Sequence, residues 1–379
     1  MKNAQNTKNS HYVPQFYLKN FLGKNNSLHC YDLTKKNYFE CSDLKQVCKK
    51  RNLYLIKNKI SELDKALFIK MFGNSNVEDK DFCNQITEML NGTLGNLFTI
   101  KINSNKEIEN EINNLLSSSI NIDNYSRKQE SLFTFIENDF QILYENIINQ
   151  KVLPASNFKE QDIKLYLYIK ILKYVHQELF NDLKNTIKSE IKNIQHELPK
   201  LNLLNNYEFV PQIDIMHYML SQYFRTKKII KGIKNILEGK NTQNSTIIER
   251  ILPNQKFDMN NVMFLFLQIQ PILLLNNIIL DNYELILLKN CTYTPFLISD
   301  NPCINTYAEI NKKNYNKDEL EIYFPLTPEI ALIITKNKKI CREIDDISVV
   351  DCYNNKIINN AERFIFSNDI MILKKYNLI

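Results

Sequence analysis

The pattern of apolar and polar positions divides the chain into three zones, and the first covers residues 11–60. HYVPQFYLKNF predicts a short helix with Pro14 at its first position and Gly23 as its C-terminal cap. SLHCYDL and NYFECSD alternate apolar and polar residues around TKKN, which predicts a β-hairpin. RNLYLIKN then predicts a third strand.

The second zone, residues 61–282, has helical periodicity. ISELDKALFIKMF predicts a helix with Ser61 as its N-cap, and SLFTFIENDFQILYENIINQ repeats apolar residues at helical spacing. Pro154 precedes a long helical pattern over 159–194, and a further pattern runs over 214–238. The glycines of NGTLGN, residues 91–96, predict a break inside this zone.

The third zone, residues 283–379, returns to strands. YELILLKN and TPFLISD flank a short polar connection and predict a hairpin, and IYFPL and IALIITKN predict two further strands. VVDCYNNKIINNAERFIFSND predicts a loop, a short helix and a closing strand. We therefore expect one α+β body over residues 1–379, with lobes 11–60, 61–282 and 283–379. Its strand-rich terminal zones share one sheet, against which the helical middle packs.

One stretch, NVMFLFLQIQPILLLNNIIL at residues 261–280, is nearly as long and apolar as a membrane span. A span would place its amides and its proline at mid-depth in the bilayer, where polar groups lack partners. These polar positions and the proline are Gln268, Gln270, Pro271, Asn276 and Asn277. We expect a buried core helix, kinked or broken at Pro271, and no membrane.

Composition excludes a mainly disordered chain, because 44% of the 379 residues are hydrophobic and only 24% are charged. The net charge of +6 is mild, and the lysines are spread along the chain as on solvated faces. Nucleic acid is still a possible partner.

Eight cysteines without a CxxC pair argue against structural zinc and favour free thiols in the cytoplasm. No GxGxxG, GxxxxGK or GxSxG motif occurs, so the usual signatures of a nucleotide cofactor and of an α/β-hydrolase are missing.

Two short sequence patterns contain side chains suited to catalysis or ligand binding. In FLISDNPCIN a strand ends at Asp300 before the rigid Asn301-Pro302 pair, which presents a carboxylate for metal binding or proton transfer. The alternative is an Asx turn with a structural role. In SQYFRTKK, Gln222 and Arg225 share a helix face that could grip phosphate. Alternatively, Arg225 is the structural ion-pair partner of a buried acid.

Five stretches occur in an order that resembles the bacterial domain of unknown function 4238 family: HYVPQFYLKNF, QYFRTKK, FLISDNP, IYFPLTPEIALII and NNKIINNAERFIFS. The resemblance implies a defence protein against bacteriophage, acting as an effector or a sensor. It also implies that the polar positions of the family fall on His11, Gln15, Glu137, Gln222, Arg225, Thr226, Asp300 and Asn301, with Asn355 and Ser367 as further positions.

Such a set of side chains is suited to hydrolysis of nucleic acid. We expect His11 as general acid or base, Asp300 and Glu137 as catalytic carboxylates that hold Mg²⁺, and Arg225 as a phosphate clamp. The orienting residues are Gln15, Gln222, Thr226 and Asn301. Hydrolysis of a nucleotide or another small anion is one alternative, and non-catalytic recognition of a phage component is another. The prediction is geometric: His11, Arg225 and Asp300 should converge on one cleft.

Overall fold

The structure, a computed structural model, describes residues 9–51, 60–72, 80, 83–84, 87, 125–154, 211–237, 257–308, 320–337 and 340–379. The helix predicted over 159–194 and the break at 91–96 lie outside these residues. The helices are α1 (Gln15–Leu18), α2 (Glu62–Phe72), α3 (Tyr125–Gln150), α4 (Pro211–Phe224), α5 (Lys227–Leu237), α6 (Met259–Leu280), α7 (Ile347–Asn360) and α8 (Ile370–Lys375). The strands are β1 (Asn9–His11), β2 (Leu28–Asp32), β3 (Asn37–Cys41), β4 (Lys49–Arg51), β5 (Glu284–Asn290), β6 (Ile298–Ser299), β7 (Ile304–Asn305), β8 (Ile322–Thr327), β9 (Ile330–Thr335), β10 (Glu343–Ile344) and β11 (Phe364–Ser367).

Strands from the two terminal zones share a four-stranded antiparallel sheet, which confirms the predicted α+β class. Its order is β3-β2-β11-β6, so the N-terminal hairpin pairs with the late strand β11. A second sheet, β10-β5-β9-β8-β7, comes entirely from the third zone, and β1 pairs with β4 in a separate two-stranded ribbon. One buried apolar cluster takes residues from all three zones, including Phe21, Phe140 and Phe324.

The predicted hairpin of YELILLKN and TPFLISD is wrong. β5 pairs with β9 and β10 in the second sheet, whereas β6 pairs with β11 in the first. The connection between them carries the chain from one sheet to the other, and Asn290 stabilises that crossing by donating its amide to the carbonyl of Thr294 over 2.7 Å. The polar connection that predicts a hairpin turn is therefore the point at which the chain passes from one sheet to the other.

The long pattern over 214–238 forms two helices, because the chain breaks at Arg225 and Thr226. Thr226 is fully buried, and its hydroxyl donates to the carbonyl of Tyr223 over 3.0 Å. This bond competes with the regular helical pattern at the break. Arg225 therefore lies at the junction between α4 and α5.

Helix α6 is the buried core helix expected at residues 261–280. It runs through Pro271 without a break in the helix, and most of its residues between Asn261 and Ile278 are buried. In the part of the chain that the structure describes, it is the one helix long and apolar enough to cross a membrane, and 72% of its most apolar window is buried inside the protein. The core helix of a soluble protein can be equally long and apolar.

Two tyrosine hydroxyls anchor helices α1 and α3 to the second sheet. The register of β8 against β9 shifts between Pro325 and Thr327. Tyr17 donates to the carbonyl of Pro325 and Tyr144 donates to that of Leu326, each over 2.6 Å. Both hydroxyls are buried, so each bond satisfies a donor and an acceptor that water does not reach. The helix that starts at Gln15 and the helix that carries Glu137 are thus held to the same irregular strand.

Candidate functional site

Arg225 joins three distant parts of the chain at the end of α4. Its Nη2 lies 2.6 Å from Glu137 Oε1 on α3 and donates to the backbone carbonyl of His11 over 2.9 Å. The Arg225 side chain is 2% exposed, whereas that of Glu137 is 24% exposed. A charge-assisted bond of this kind is stronger than one between neutral groups. Arg225 therefore fixes the N-terminal segment against α3 and α4.

His11 ends strand β1 and is paired with Lys49 of β4. The residue is partly exposed, its Nδ1 is buried, and Gln15 Nε2 lies 3.1 Å from its Nε2. Because an amide nitrogen can only donate, His11 Nε2 is the acceptor in this bond. Burial, followed by the positive charges of Lys49 and Arg225, lowers the pKa of His11, although the Val47 backbone and Asp43 oppose the shift. The neutral imidazole is therefore favoured.

One face of α4 presents buried polar groups toward this segment. Tyr218, Gln222 and Arg225 are spaced at i, i+4 and i+7 and so share a face. Gln222 Nε2 donates to the carbonyl of Tyr12 over 2.6 Å. Tyr218 stacks on Phe140 at a centroid distance of 3.7 Å, and its hydroxyl is close enough to Glu137 and Arg225 to sense both charges. Burial raises the pKa of Tyr218 well above its ordinary value, so its hydroxyl stays protonated.

Asp300 lies near Tyr12: together with burial and Cys48, its charge raises the pKa of the Tyr12 phenol. Its Oδ1 accepts the backbone N–H groups of Glu362 over 3.0 Å and Arg363 over 3.2 Å, beyond the end of α7. Its Oδ2 is buried and has no hydrogen-bond partner among the described residues. Burial raises the pKa of Asp300 despite these backbone donors. The carboxylate ties β6 to the turn before β11, which is a long-range clip and not an Asx turn within its own loop.

The predicted residues thus form two groups. The structure brings His11, Gln15, Glu137, Gln222 and Arg225 together, and we call this set the His11 site. Asn301 belongs with Asp300, because its amide donates to the carbonyl of Asn360 over 3.2 Å. Thr226 serves the helix break. A hydrogen bond connects Arg225 with His11, and the convergence of these two residues with Asp300 on one cleft stays a prediction.

The contacts do not favour a shared Mg²⁺ site for Glu137 and Asp300. Glu137 binds the guanidinium of Arg225, while Asp300 binds backbone N–H groups of another segment. Within the described ranges, no group of three or more His, Cys, Asp or Glu side chains is placed to hold a metal ion. Mg²⁺ binding by these two residues stays a prediction.

Two positions near the C-terminus carry structural roles. Asn354, and not the exposed Asn355, is the buried asparagine of α7: it accepts from the N–H of Leu297 and donates to Pro295 and Tyr376. Ser367 Oγ accepts the N–H of Asp369 over 3.1 Å at the start of α8. Asn354 thus joins α7 to the segment before β6 and to Tyr376, and Ser367 stabilises the start of α8.

Sequence reasoning missed the roles of Tyr12 and Tyr218 in this region. The helical spacing of Tyr218 to Gln222 and Arg225 is a signal that could have placed its hydroxyl at the site. Tyr12 has no comparable signal, because the contacts that the structure describes for it come from distant segments: Gln222, Cys48 and the ammonium of Lys227.

Comparison with known proteins gives one match. The model of the family described as "Protein of unknown function (DUF4238)" covers residues 9–370, nearly the whole chain. No curated protein and no solved structure matches the chain. The match includes every residue of the His11 site as well as Asp300 and Asn301. The chain therefore belongs to the DUF4238 family.

Proposed function

We propose that this protein is an antiphage defence effector that hydrolyses phosphodiester bonds of nucleic acid at the His11 site. One observation carries the proposal: a partly exposed histidine that favours its neutral form is held against the Arg225–Glu137 ion pair by the backbone carbonyl of His11 itself. A neutral imidazole at neutral pH can accept a proton, which is the property a general base needs. The antiphage role follows the family resemblance and is tested in cells.

In the proposed reaction, a water molecule replaces the Gln15 amide at His11 Nε2. The imidazole takes a proton from this water as the water oxygen attacks phosphorus, and the bond from phosphorus to the leaving oxygen breaks. The imidazolium then returns the proton to the leaving oxygen, so that the ring ends neutral. Arg225 is a positioning residue here, because its Nη2 binds Glu137 and the backbone carbonyl of His11.

Two other functions use the same residues. Hydrolysis of a nucleotide or another small anion needs the same proton transfer. The other is a non-catalytic sensor that recognises a phage component. It is supported by the contacts of Arg225 Nη2, which binds Glu137 and the His11 carbonyl and so has an architectural role. The assay below separates these functions by substrate and by turnover.

The test is incubation of purified protein with RNA, DNA and nucleotides, each with Mg²⁺ or with EDTA. The variants are His11→Gln and, as a matched control, His29→Gln, since His29 lies on β2 and contacts Tyr38 instead. We expect turnover in the wild type and in His29→Gln, and a loss of at least about 100-fold in His11→Gln. Absence of turnover in the wild type under every condition would favour the sensor. Equal activity in His11→Gln and the wild type would exclude His11 as the base.

Protection in cells provides the second readout. Bacteria that carry the wild type or His11→Gln are challenged with phage, and the unfolding transition of each purified protein is measured in parallel. Loss of protection in a folded His11→Gln variant supports a role of the site in defence. Full protection by that variant contradicts it.

A further inference from the structure

Three of the eight cysteines lie close together at the β2–β3 hairpin. Cys30 is on β2, Cys41 ends β3, and Cys48 precedes β4. All three are free thiols within the buried apolar cluster that takes residues from the three zones. The thiols of Cys30 and Cys41 are hydrogen-bonded to each other, and Cys48 interacts electrostatically with both.

The register of the hairpin places the Cys30 and Cys41 side chains on the same face of the sheet. Leu28 is directly opposite Cys41, and Cys30 is opposite Phe39. Residues two apart on a strand share a face, so Cys30 and Cys41 are diagonal neighbours across the two strands. The Cys30 thiol also donates to the carbonyl of Leu28 over 3.3 Å, which directs it toward the pair that Leu28 forms with Cys41.

The two thiols differ in how readily they ionise. The hydrogen bond between them lowers the pKa of Cys41 to about 7, although burial opposes this shift. The same hydrogen bond, together with burial, raises the pKa of Cys30. The thiolate is the form of cysteine that acts as a nucleophile. Cys41 is therefore the more reactive of the two.

Cys41 is also the member of this group that lies nearest to solvent. It is 6% exposed, whereas Cys30 is fully buried. It ends the edge strand of its sheet, and the next two residues, Ser42 and Asp43, are exposed. A small neutral oxidant therefore has a short path to the Cys41 sulfur.

Formation of a disulfide between diagonal neighbours requires the backbone to move. Their Cα atoms are about 7–8 Å apart in an antiparallel pair, whereas a disulfide holds them about 4.4–6.8 Å apart. On the outer side of β3, no strand of the described residues pairs with it. The end of β3 can therefore approach β2 without breaking another pairing in the described sheet.

The segment that follows β3, residues 42–48, leads to the His11 site. The N–H of Tyr12 donates to the carbonyl of Cys48 over 3.0 Å, and the charge of Asp43 acts on the His11 imidazole. Because this segment starts at the end of β3, a movement of that end also moves groups that contact or influence the His11 site.

We propose that Cys30 and Cys41 are a redox-responsive pair, which a peroxide converts into a disulfide that displaces residues 42–48 and so alters the surroundings of His11. This inference is independent of the proposed hydrolysis, because it concerns a covalent change of the protein itself.

The reaction has two steps. The Cys41 thiolate attacks one oxygen of hydrogen peroxide, the O–O bond breaks, and the departing hydroxide takes up the proton that Cys41 released, which leaves a sulfenic acid and water. The Cys30 thiol then attacks the sulfenic sulfur, the S–O bond breaks, and the hydroxide leaves as water with the Cys30 proton. The two thiols are oxidised to one disulfide, and the peroxide is reduced to water.

The experiment treats the reduced, purified full-length chain with hydrogen peroxide and maps disulfides by proteolysis and mass spectrometry. The test variant is Cys30→Ala and the matched control is Cys303→Ala. Cys303 is also fully buried and donates its thiol to a backbone carbonyl, that of Met219 over 3.2 Å. All chains carry serine in place of the exposed cysteines, which are Cys291, Cys341 and Cys352.

We expect a Cys30–Cys41 disulfide in the otherwise unchanged chain and in Cys303→Ala, and its reversal by dithiothreitol. In Cys30→Ala, dimedone should trap Cys41 as a sulfenic acid. Absence of a disulfide at Cys41, or a bridge from Cys41 to Cys48, would overturn the proposal. Mapping of the chain that keeps Cys30 requires no buried substitution, so it decides even if Cys30→Ala does not fold.

Displacement of the segment is measured at His11 itself. NMR of the chain with labelled histidine gives the pKa of each imidazole, and His11→Gln identifies the His11 signal. We expect the pKa of His11 to change on oxidation in Cys303→Ala and to stay constant in Cys30→Ala under the same treatment. A mapped disulfide without any change at His11 would overturn the proposed coupling. Absence of nucleic acid hydrolysis would contradict the proposed function and leave this inference standing.

Discussion

Arg225 and Glu137 form an ion pair of 2.6 Å in which the arginine is almost fully buried and the glutamate is partly exposed. The same Nη2 atom donates to the carbonyl of His11, so one nitrogen links α3, the end of α4 and the N-terminal segment. The asymmetry of exposure matters for mutation. Removal of the glutamate leaves a buried cation, whereas removal of the arginine leaves a carboxylate that water can reach.

Replacement of Arg225 by Ala should lower the free energy of unfolding by about 2–4 kcal/mol, because it removes a charged hydrogen bond, an ion pair and packing around a buried side chain. Glu137→Gln should cost about 1–3 kcal/mol, because an amide oxygen can still accept from Nη2 but leaves the buried guanidinium without its counter-charge. Chemical denaturation of both variants and of the double variant measures the coupling. Additive costs would show that the two side chains do not act as a pair.

The stability of the protein should depend on pH through His11. Its folded pKa is lowered from the ordinary 6.5, mainly by burial. The unfolded chain therefore binds this proton at higher pH than the folded protein, and stability falls as pH drops below about 6.5. Denaturation curves from about pH 8 to about pH 5.5 test this for the wild type and His11→Gln. The fall should be smaller in the variant, and an equal fall in both would contradict the assignment.

The two carboxylate oxygens of Asp300 have different surroundings, so two substitutions of this residue should change stability differently. Asp300→Ala leaves the N–H groups of Glu362 and Arg363 without their acceptor, which should cost about 1–3 kcal/mol. Asp300→Asn keeps an acceptor and removes a buried charge. Because the folded pKa of Asp300 is raised, ionisation destabilises the fold as pH rises through that pKa, so Asp300→Asn should be at least as stable as the wild type at neutral pH.

The same Asp300→Asn variant also tests the predicted catalytic role. If Asp300 is only the clip described above, the variant keeps the turnover of the wild type in the presence of Mg²⁺. A folded Asp300→Asn protein without turnover would instead support the carboxylate as a metal ligand or catalytic group.

Adjacent asparagines in α7 offer a matched pair. Asn354 is fully buried and bonds to Leu297, Pro295 and Tyr376, whereas Asn355 is exposed. Asn354→Ala should lower the free energy of unfolding by about 2–3 kcal/mol, and Asn355→Ala by less than about 0.5 kcal/mol. Thermal unfolding of both variants measures the difference. Similar shifts in Tm would show that the buried amide contributes nothing particular.

Local signals in the sequence predict local structure well. Ser61 is the N-cap of α2 as predicted, since its hydroxyl accepts from the N–H of Asp64 and its own N–H donates to the Asp64 carboxylate. The hairpin of β2 and β3 is also confirmed, because alternation and a turn are enough to define it. Both features depend on residues close together in the chain.

A local sequence pattern does not predict which distant strand or backbone group an element will pair with. The strand at 284–290 is correctly predicted as a strand, but its neighbours are β9 and β10, and no local signal selects them. Likewise the motif FLISDNP indicates a special aspartate at 300, while its actual partners are the N–H groups at 362 and 363. His11 and Arg225 were predicted to lie together from residue type and family resemblance, not from periodicity.

The pairing of β2 with β11 has a consequence for synthesis on the ribosome. The hairpin β2–β3 emerges early, yet its inner edge is covered only when residues 364–367 have been made. Until then β2 presents unpaired backbone groups and cannot complete its sheet. The four-stranded sheet therefore closes only after residues 364–367 have been made, and until then the edge of the hairpin at β2 stays open.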